Sequence, residues 1–263
     1  MTPKSEDSIL INIHYKLRGH IMRNYEKELE KRIAFIHTQM EKAGVDALVF
    51  GNSGGKDSAL VGILCKKACD NTLGVIMPCS SKQNYGRDKE DALKLAKTFD
   101  IPTKIVDLTA VREAELEAVG EQLSDAAVAN IAPRLRMATL YLIAHSRKAL
   151  VVGTGNRSEA YMGYFTKWGD GAYDLNPIAD LTVTEIYEFL RFLEAPDSII
   201  EKAPSAGLFA GQTDEAEMGV TYAEIDRFLL YGEKGENFPV IEKYHVSSEH
   251  KRIMPVVYSD TVI

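Results

Sequence analysis

Residues 46–59 read DALVFGNSGGKDSA. DALVFG is short, apolar and rich in branched side chains, as a buried strand requires, and Ala59, Leu60, Ile63 and Leu64 then recur at helical spacing. Between them, GNSGGKDS packs small and polar residues into a strand-to-helix turn. Glycines there let the backbone approach a ligand closely, and the N–H groups that open the helix present partial positive charge to an anion. Such a turn suits a pyrophosphate. It differs from the Walker A loop, which places four residues between its glycines and a Ser or Thr directly after the lysine. Here the spacer is three residues and Asp57 follows Lys56. A carboxylate in a phosphate turn repels its ligand unless a hard cation lies between them, and Mg²⁺ readily joins one or two carboxylates to phosphate oxygens. Asp57 therefore predicts a divalent metal.

Strand-like runs recur as TLGVIMP at 72, TKIVDL at 103 and KALVVGTG at 148, with a helical pattern in DKEDALKLAKTFDIP carried by Ala92, Leu95, Ala96 and Phe99. The alternation predicts an α/β chain: an open parallel sheet with helices on both faces and ligands beyond the carboxyl ends of the strands. A helical stretch from about 124 to 146 is expected to break near Pro133 and to pack against a second subunit. Residues 202–219, KAPSAGLFAGQTDEAEMG, have little periodicity and many small side chains, which suits a lid or, more plainly, a surface loop. No repeat or Pro/Gly/Ser-rich linker divides the chain, so residues 1–263 are expected to form one domain.

The chain has 263 residues, 45% of them hydrophobic and 26% charged, and a net charge of −7. That balance supplies no global attraction to nucleic acid or to an acidic membrane, and it favours small substrates. Cys65, Cys69 and Cys79 form no CxxC pair and have no histidine at ligand spacing, so they predict neither a disulfide framework nor a zinc site. The amino-terminal residues lack the apolar core of a secretory signal, and no apolar run is long enough to span a bilayer. A cytoplasmic location is expected.

The run Ser53-Gly54-Gly55-Lys56-Asp57-Ser58 resembles the SGGxDS loop of the ATP pyrophosphatases, which cleave ATP between its α and β phosphates. The segment VVGTGNRSEAYMGYFTKWGDGAYDLNP, residues 151–177, is more specific. Its Gly153, Thr154, Asn156, Glu159, Gly163, Thr166, Lys167, Gly169, Asp170, Gly171, Asp174 and Pro177 match the pattern of the NAD synthetases. The resemblance continues through KAPSAGLFAGQTDEAEMGVTYAEIDRFL to SSEHKR, covering about residue 30 to the carboxyl terminus. It implies a Rossmann-like fold of the adenine nucleotide alpha-hydrolase type.

The resemblance assigns Gly51, Asn52, Ser53, Gly54, Gly55, Lys56, Asp57, Ser58, Thr154 and Ser205 to ATP, and Asp57 with Glu159 to Mg²⁺. It assigns Arg134, Lys167, Asp174, His250 and Lys251 to deamido-NAD, and it implies a homodimer. Asp57, Glu159, Lys56 and Asp174 are the expected catalytic residues. Taken alone, each has a plainer reading: Arg134 or Arg136 as a solvated helix arginine, Lys167 as a surface lysine beside Trp168, Glu159 as a helix N-terminal charge, and His250 with Lys251 as a polar tail. One position departs from the pattern: Val183 stands where the family usually has a lysine that reaches the ATP phosphates. Lys56, inside the phosphate loop, is expected to supply that charge.

The implied reaction adenylates the nicotinic carboxylate and lets ammonia displace AMP, with Asp174 either accepting the ammonium proton or orienting the pyridine ring. Larger relatives carry a glutaminase domain, for which 263 residues leave no room, so free ammonia is the expected nitrogen donor. Two other readings share only part of the pattern. An ATP pyrophosphatase that adenylates a tRNA base would need a basic groove that this composition does not suggest. A non-catalytic nucleotide sensor would have no use for two metal carboxylates.

Overall fold

In the computed structural model, which describes residues 23–80, 85–202 and 213–258, four parallel strands form one sheet in the order β3-β2-β1-β4. β1 (Ala47–Gly51) lies between β2 (Thr72–Ile76) and β4 (Ala149–Val152), and β3 (Thr103–Ile105) flanks β2. Phe50 is in register with Gly74 on one side and Val152 on the other. The chain passes from β1 toward β2 and β3, then returns to place β4 on the opposite side of β1. That reversal opens a crevice beyond the carboxyl ends of β1 and β4, where ligands of open α/β sheets bind. Both motifs singled out in the sequence begin there.

Side-chain alternation distributes the strands between two apolar layers. Leu48, Phe50 and Val152 face a core shared with α1 (Tyr25–Ala43), α2 (Lys56–Ala68) and α7 (Val183–Phe192). Val49, Val75 and Val151 face the other side, where Ala132 and Ala144 of α5 (Asp125–Arg147) close the layer. Helices therefore cover both faces, as the alternating pattern predicts. Phe50 is fully buried and contributes about 1.5–3 kcal/mol of transfer free energy. Its ring seats α2 closely on the sheet, because a Cβ at Gly62 would meet it at 2.6 Å.

α5 corrects one expectation. It runs unbroken through Pro133 for 23 residues, capped by the Ser124 hydroxyl, which accepts from the Ala127 N–H at 3.3 Å. An interior proline costs about 3 kcal/mol, but α5 packs along both β1 and β4, so burial on both sides of Pro133 holds the helix together. The far end of 202–219 also departs from an irregular reading: α9 (Asp214–Met218) is helical, with Thr213 as its cap. Residues 203–212 lie outside the described residues. No helix among the described residues is long and apolar enough to cross a membrane.

A third apolar cluster lies beside the crevice. It joins Met162 of α6 (Arg157–Met162), Val183 of α7, Met218 of α9, Tyr222 and Ile225 of α10 (Tyr222–Tyr231) and Ile241 of α11 (Phe238–Ser247). On the other flank, α3 (Arg87–Thr98) lies tight against the phosphate turn. Gly54 has φ +75°, and a Cβ there would meet the Asp88 carbonyl oxygen at 2.1 Å. Gly54→Ala is therefore expected to destabilise the fold by about 2 kcal/mol or more, read as a lower denaturant midpoint with unchanged slope. An unchanged midpoint would contradict this packing.

Candidate active site

The turn after β1 is held by its own side chains. Asn52 is buried; its Nδ2 donates to the Ala92 carbonyl of α3 at 3.0 Å, and its backbone N–H to Val75 at 2.9 Å. Ser58 Oγ donates to the Gly55 carbonyl at 3.0 Å, shares a hydrogen bond with Ser53 Oγ at 3.0 Å, and accepts from the Ser53 N–H at 3.2 Å. These contacts set the amides of the turn before α2 begins at Lys56. They line a cavity of about 820 Å³ that extends from the phosphate turn past Thr154 to Lys251. That volume accommodates a nucleotide-sized ligand.

Asp57 and Glu159 come from different strand ends and meet at this cavity. Asp57 lies in the first turn of α2, after β1, and Glu159 in the first turn of α6, after β4. Asn156 joins them. As the N-cap of α6 it accepts from the Glu159 N–H at 2.9 Å, while Glu159 Oε2 accepts from the Asn156 N–H at 3.2 Å, a reciprocal capping box. Its Nδ2 is then left to donate to Asp57 Oδ1 at 3.0 Å. The plain reading of Glu159 as a helix-terminal charge and its reading as a site carboxylate thus describe one geometry, with Oε2 capping the helix and Oε1 directed to the site.

Lys56 Nζ completes the group, 2.8 Å from Asp57 Oδ2 and 3.9 Å from Glu159 Oε1, and it is only 6% exposed. Burial opposes its charge, but the two carboxylates outweigh burial and raise its pKa above the ordinary lysine value. Glu159 is raised well above the usual carboxylate range by burial and then by Asp57, with Lys56 opposing. The ammonium also lies 5.4 Å from the centre of the Tyr222 ring, whose hydroxyl donates to Asp214 Oδ2 at 3.1 Å. Val183 packs in the same apolar cluster as Tyr222 and is 4% exposed, so α7 opens with an apolar side chain, and the ammonium near the Tyr222 ring is that of Lys56 in α2.

The carboxylates fit a hard divalent ion: two oxygen donors converge on one cation, and the phosphate turn adjoins them. Among the described residues no cluster of three or more His, Cys, Asp or Glu forms a metal cage.

The other sequence-predicted residues divide. Gly51, Asn52, Ser53, Gly55, Ser58, Thr154 and Lys251 line the cavity, and Lys251 Nζ donates to the carbonyls of Gly163 and Phe165 at 2.7 and 2.8 Å. Lys167 does not line it; its ammonium donates to the His250 carbonyl and lies 5.5 Å from the Trp168 ring centre. Arg134 and His250 are exposed and away from the lining. Asp174 is also exposed, and its carboxylate accepts from the Val151 N–H at 2.7 Å and the Tyr141 hydroxyl at 3.2 Å. Ser205 lies outside the described residues.

Three contributors lie outside the residues that the sequence assigns to the site. Arg136 lines the cavity, its Nε donating to the Met77 carbonyl at 3.1 Å. In RLR the two arginines are two residues apart, so one helix cannot turn both toward the sheet; spacing alone does not say which. Lys202 Nζ donates to Asp88 at 2.6 Å, Asp91 at 3.2 Å and the Gly54 carbonyl at 3.3 Å, tying the start of 202–219 to the phosphate turn. Only the fold brings positions so distant together. Asn156 could have been found, since NRSE has the spacing of a capping box. Asn156→Ala is expected to cost about 1–2 kcal/mol of stability in denaturant unfolding, and an unaltered midpoint would refute the bridging role.

A profile of the NAD synthase family matches residues 28–260. The NH(3)-dependent NAD(+) synthetase of Carboxydothermus hydrogenoformans is 45% identical over 240 residues, which span 89% of this chain and 98% of that one. The structure of NMN synthetase from Francisella tularensis is similar with a TM-score of 0.85 at 36% identity, over 90% of this chain and 99% of that chain. That of the NH3-dependent NAD synthetase from Campylobacter jejuni, in complex with the nitrate ion, has a TM-score of 0.74 at 30% identity, over 90% and 100%. A shared sheet, a phosphate turn after β1 and a second carboxylate after β4 accompany these likenesses: the chain belongs to the NAD synthase family.

Proposed function

We infer that the protein is an ammonia-dependent NAD synthetase, a C–N-forming ligase that converts deamido-NAD to NAD while ATP is cleaved to AMP and pyrophosphate. The observation that carries this reading is the convergence of Asp57 and Glu159, from two strand ends, beside a phosphate turn. A carboxylate does not condense with ammonia in water, because its oxygen is a poor leaving group. Adenylation supplies a better one. The nicotinic carboxylate attacks the α-phosphorus of ATP, pyrophosphate departs, and ammonia then displaces AMP from the mixed anhydride.

The turn Gly51–Ser58, Thr154 and Ser205 hold ATP, with the backbone amides of the turn taking up charge as pyrophosphate leaves. Asp57 and Glu159 would hold Mg²⁺, which when bound neutralises phosphate charge. Lys56 adds a cation at the same place. Lys251, at the far end of the cavity, receives the anionic parts of deamido-NAD, and Lys167, Arg134, Asp174 and His250 complete that site beyond the cavity of a single chain. Such an extension supports a homodimer in which a second copy covers the dinucleotide. The exposed Leu142 of α5, Trp168 and Tyr173 supply apolar surface for it. Residues 1–263 act as a single domain, in the cytoplasm where ATP is available, and 202–219 shields the anhydride from water.

Purified protein with ATP, Mg²⁺, deamido-NAD and ammonium is expected to form NAD and AMP in equal amounts. Glutamine in place of ammonium is expected to give negligible NAD; efficient glutamine use would refute the assignment. The same assay includes the mononucleotide acceptor, because the similar structure from Francisella tularensis is an NMN synthetase. A higher kcat/KM for the mononucleotide would reassign the acceptor and leave the chemistry intact.

Two substitutions test the machinery. Asp57→Asn is expected to lower kcat by about two to three orders of magnitude, measured as AMP release at saturating Mg²⁺. Lys56→Ala is expected to raise the KM for ATP and lower turnover by about tenfold. If it leaves both unchanged, Lys56 does not supply the charge missing at Val183.

A further inference from the structure

Lys56 occupies an unusual place for a phosphate-binding lysine. Its ammonium is turned back onto its own helix terminus, 2.8 Å from Asp57 Oδ2 and 3.9 Å from Glu159 Oε1, and the side chain is almost fully buried. Those two oxygens are the ones left to a cation after Asn156 has used the others: Asp57 Oδ1 accepts from its Nδ2, and Glu159 Oε2 from its N–H. The Tyr222 ring closes one side of the ammonium at 5.4 Å. The carboxylates thus offer one inward-facing oxygen each, and the lysine lies against both.

We propose that Lys56 is an internal counterion that exchanges with the divalent ion, making metal binding depend on nucleotide. Without nucleotide, the ammonium neutralises the pair and competes with a metal for the same two oxygens. When ATP enters the turn, its phosphates draw the ammonium from Asp57 and Glu159 toward the cavity, and the freed oxygens take the ion. Two adjacent, mostly buried carboxylates, 15% and 17% exposed, are costly to leave uncompensated, so the pair keeps a cation in either state. This inference rests on the assignment of Asp57 and Glu159 to the metal. By linkage, whatever factor the nucleotide adds to metal affinity the metal adds to nucleotide affinity.

The test titrates the full-length protein with Mn²⁺ and follows free ion by electron paramagnetic resonance, with and without an ATP analogue carrying a methylene bridge between its α and β phosphates. The wild-type protein is expected to bind Mn²⁺ weakly alone and at least about tenfold more tightly with the analogue. Lys56→Met is expected to bind Mn²⁺ alone at least about tenfold more tightly than wild type, with a smaller further gain from the analogue than wild type shows, because the phosphate oxygens still ligate the ion but no ammonium has to be displaced. Its melting temperature should also rise more with Mn²⁺ than that of wild type. Lys56→Gln, polar and of similar length, repeats the measurement should the methionine variant fold poorly, and Lys56→Arg, which keeps the charge, should bind Mn²⁺ alone as weakly as wild type.

Equal tightening with and without the analogue would reduce Lys56 to simple charge repulsion and overturn the exchange. Unchanged Mn²⁺ affinity in both neutral variants would overturn it as well. If Asp57→Asn leaves Mn²⁺ binding in the presence of the analogue intact, the metal assignment itself fails and the exchange with it. If Asp57→Asn abolishes that binding while the Lys56 variants behave as wild type, only the exchange fails.

Discussion

Two carboxylates that would repel each other are held facing one cation, and the arrangement of the site follows from that constraint. Asp57 and Glu159 lie about a hundred residues apart in sequence, each in the first turn of a helix that follows a central or edge strand of the same sheet. The buried Asn156 side chain spans the gap by donating to one and capping the helix of the other. One oxygen of each is consumed by this scaffold, so only one of each faces the cavity. The cost of burying like charges is met locally by an ammonium and by helix N-terminal amides.

The fold makes this meeting possible by placing β4 beside β1. Because the strands are parallel and in register, the turns that leave them open at the same height, and the helices that follow start side by side. Close packing beneath them limits movement: Phe50 fills the space that the absent Gly62 side chain leaves, and Gly54 admits the Asp88 carbonyl. The phosphate turn is therefore clamped from the sheet, from α3 and, through Lys202, from the start of the segment that flanks the cavity.

Charge in the cavity is distributed in pairs. Lys56 faces Asp57 and Glu159, Lys202 faces Asp88 and Asp91, and Lys251 is held by two backbone carbonyls. Val183 fits the same logic. Its apolar side chain completes the cluster with Met162, Met218 and Tyr222, and the ammonium beside the Tyr222 ring belongs to Lys56 of α2.

The residue pattern alone determined a good deal: the parallel α/β architecture, the strand ends at which the motifs lie, and the carboxylate of Asp57 inside a phosphate turn; Glu159 as its partner came only from the family resemblance. Strand alternation and the glycine turn express local rules of burial and backbone freedom, which short stretches obey wherever they are placed. What only the tertiary structure decided depends on distance between remote residues or on the phase of a helix. It carried α5 through Pro133 by packing on two strands, turned Arg136 rather than Arg134 to the cavity, and joined Lys202 to the phosphate turn. Asp174 has a carboxylate suited to catalysis, yet in the single chain it accepts from the Val151 N–H of β4 and from the Tyr141 hydroxyl, contacts between remote residues that spacing does not show.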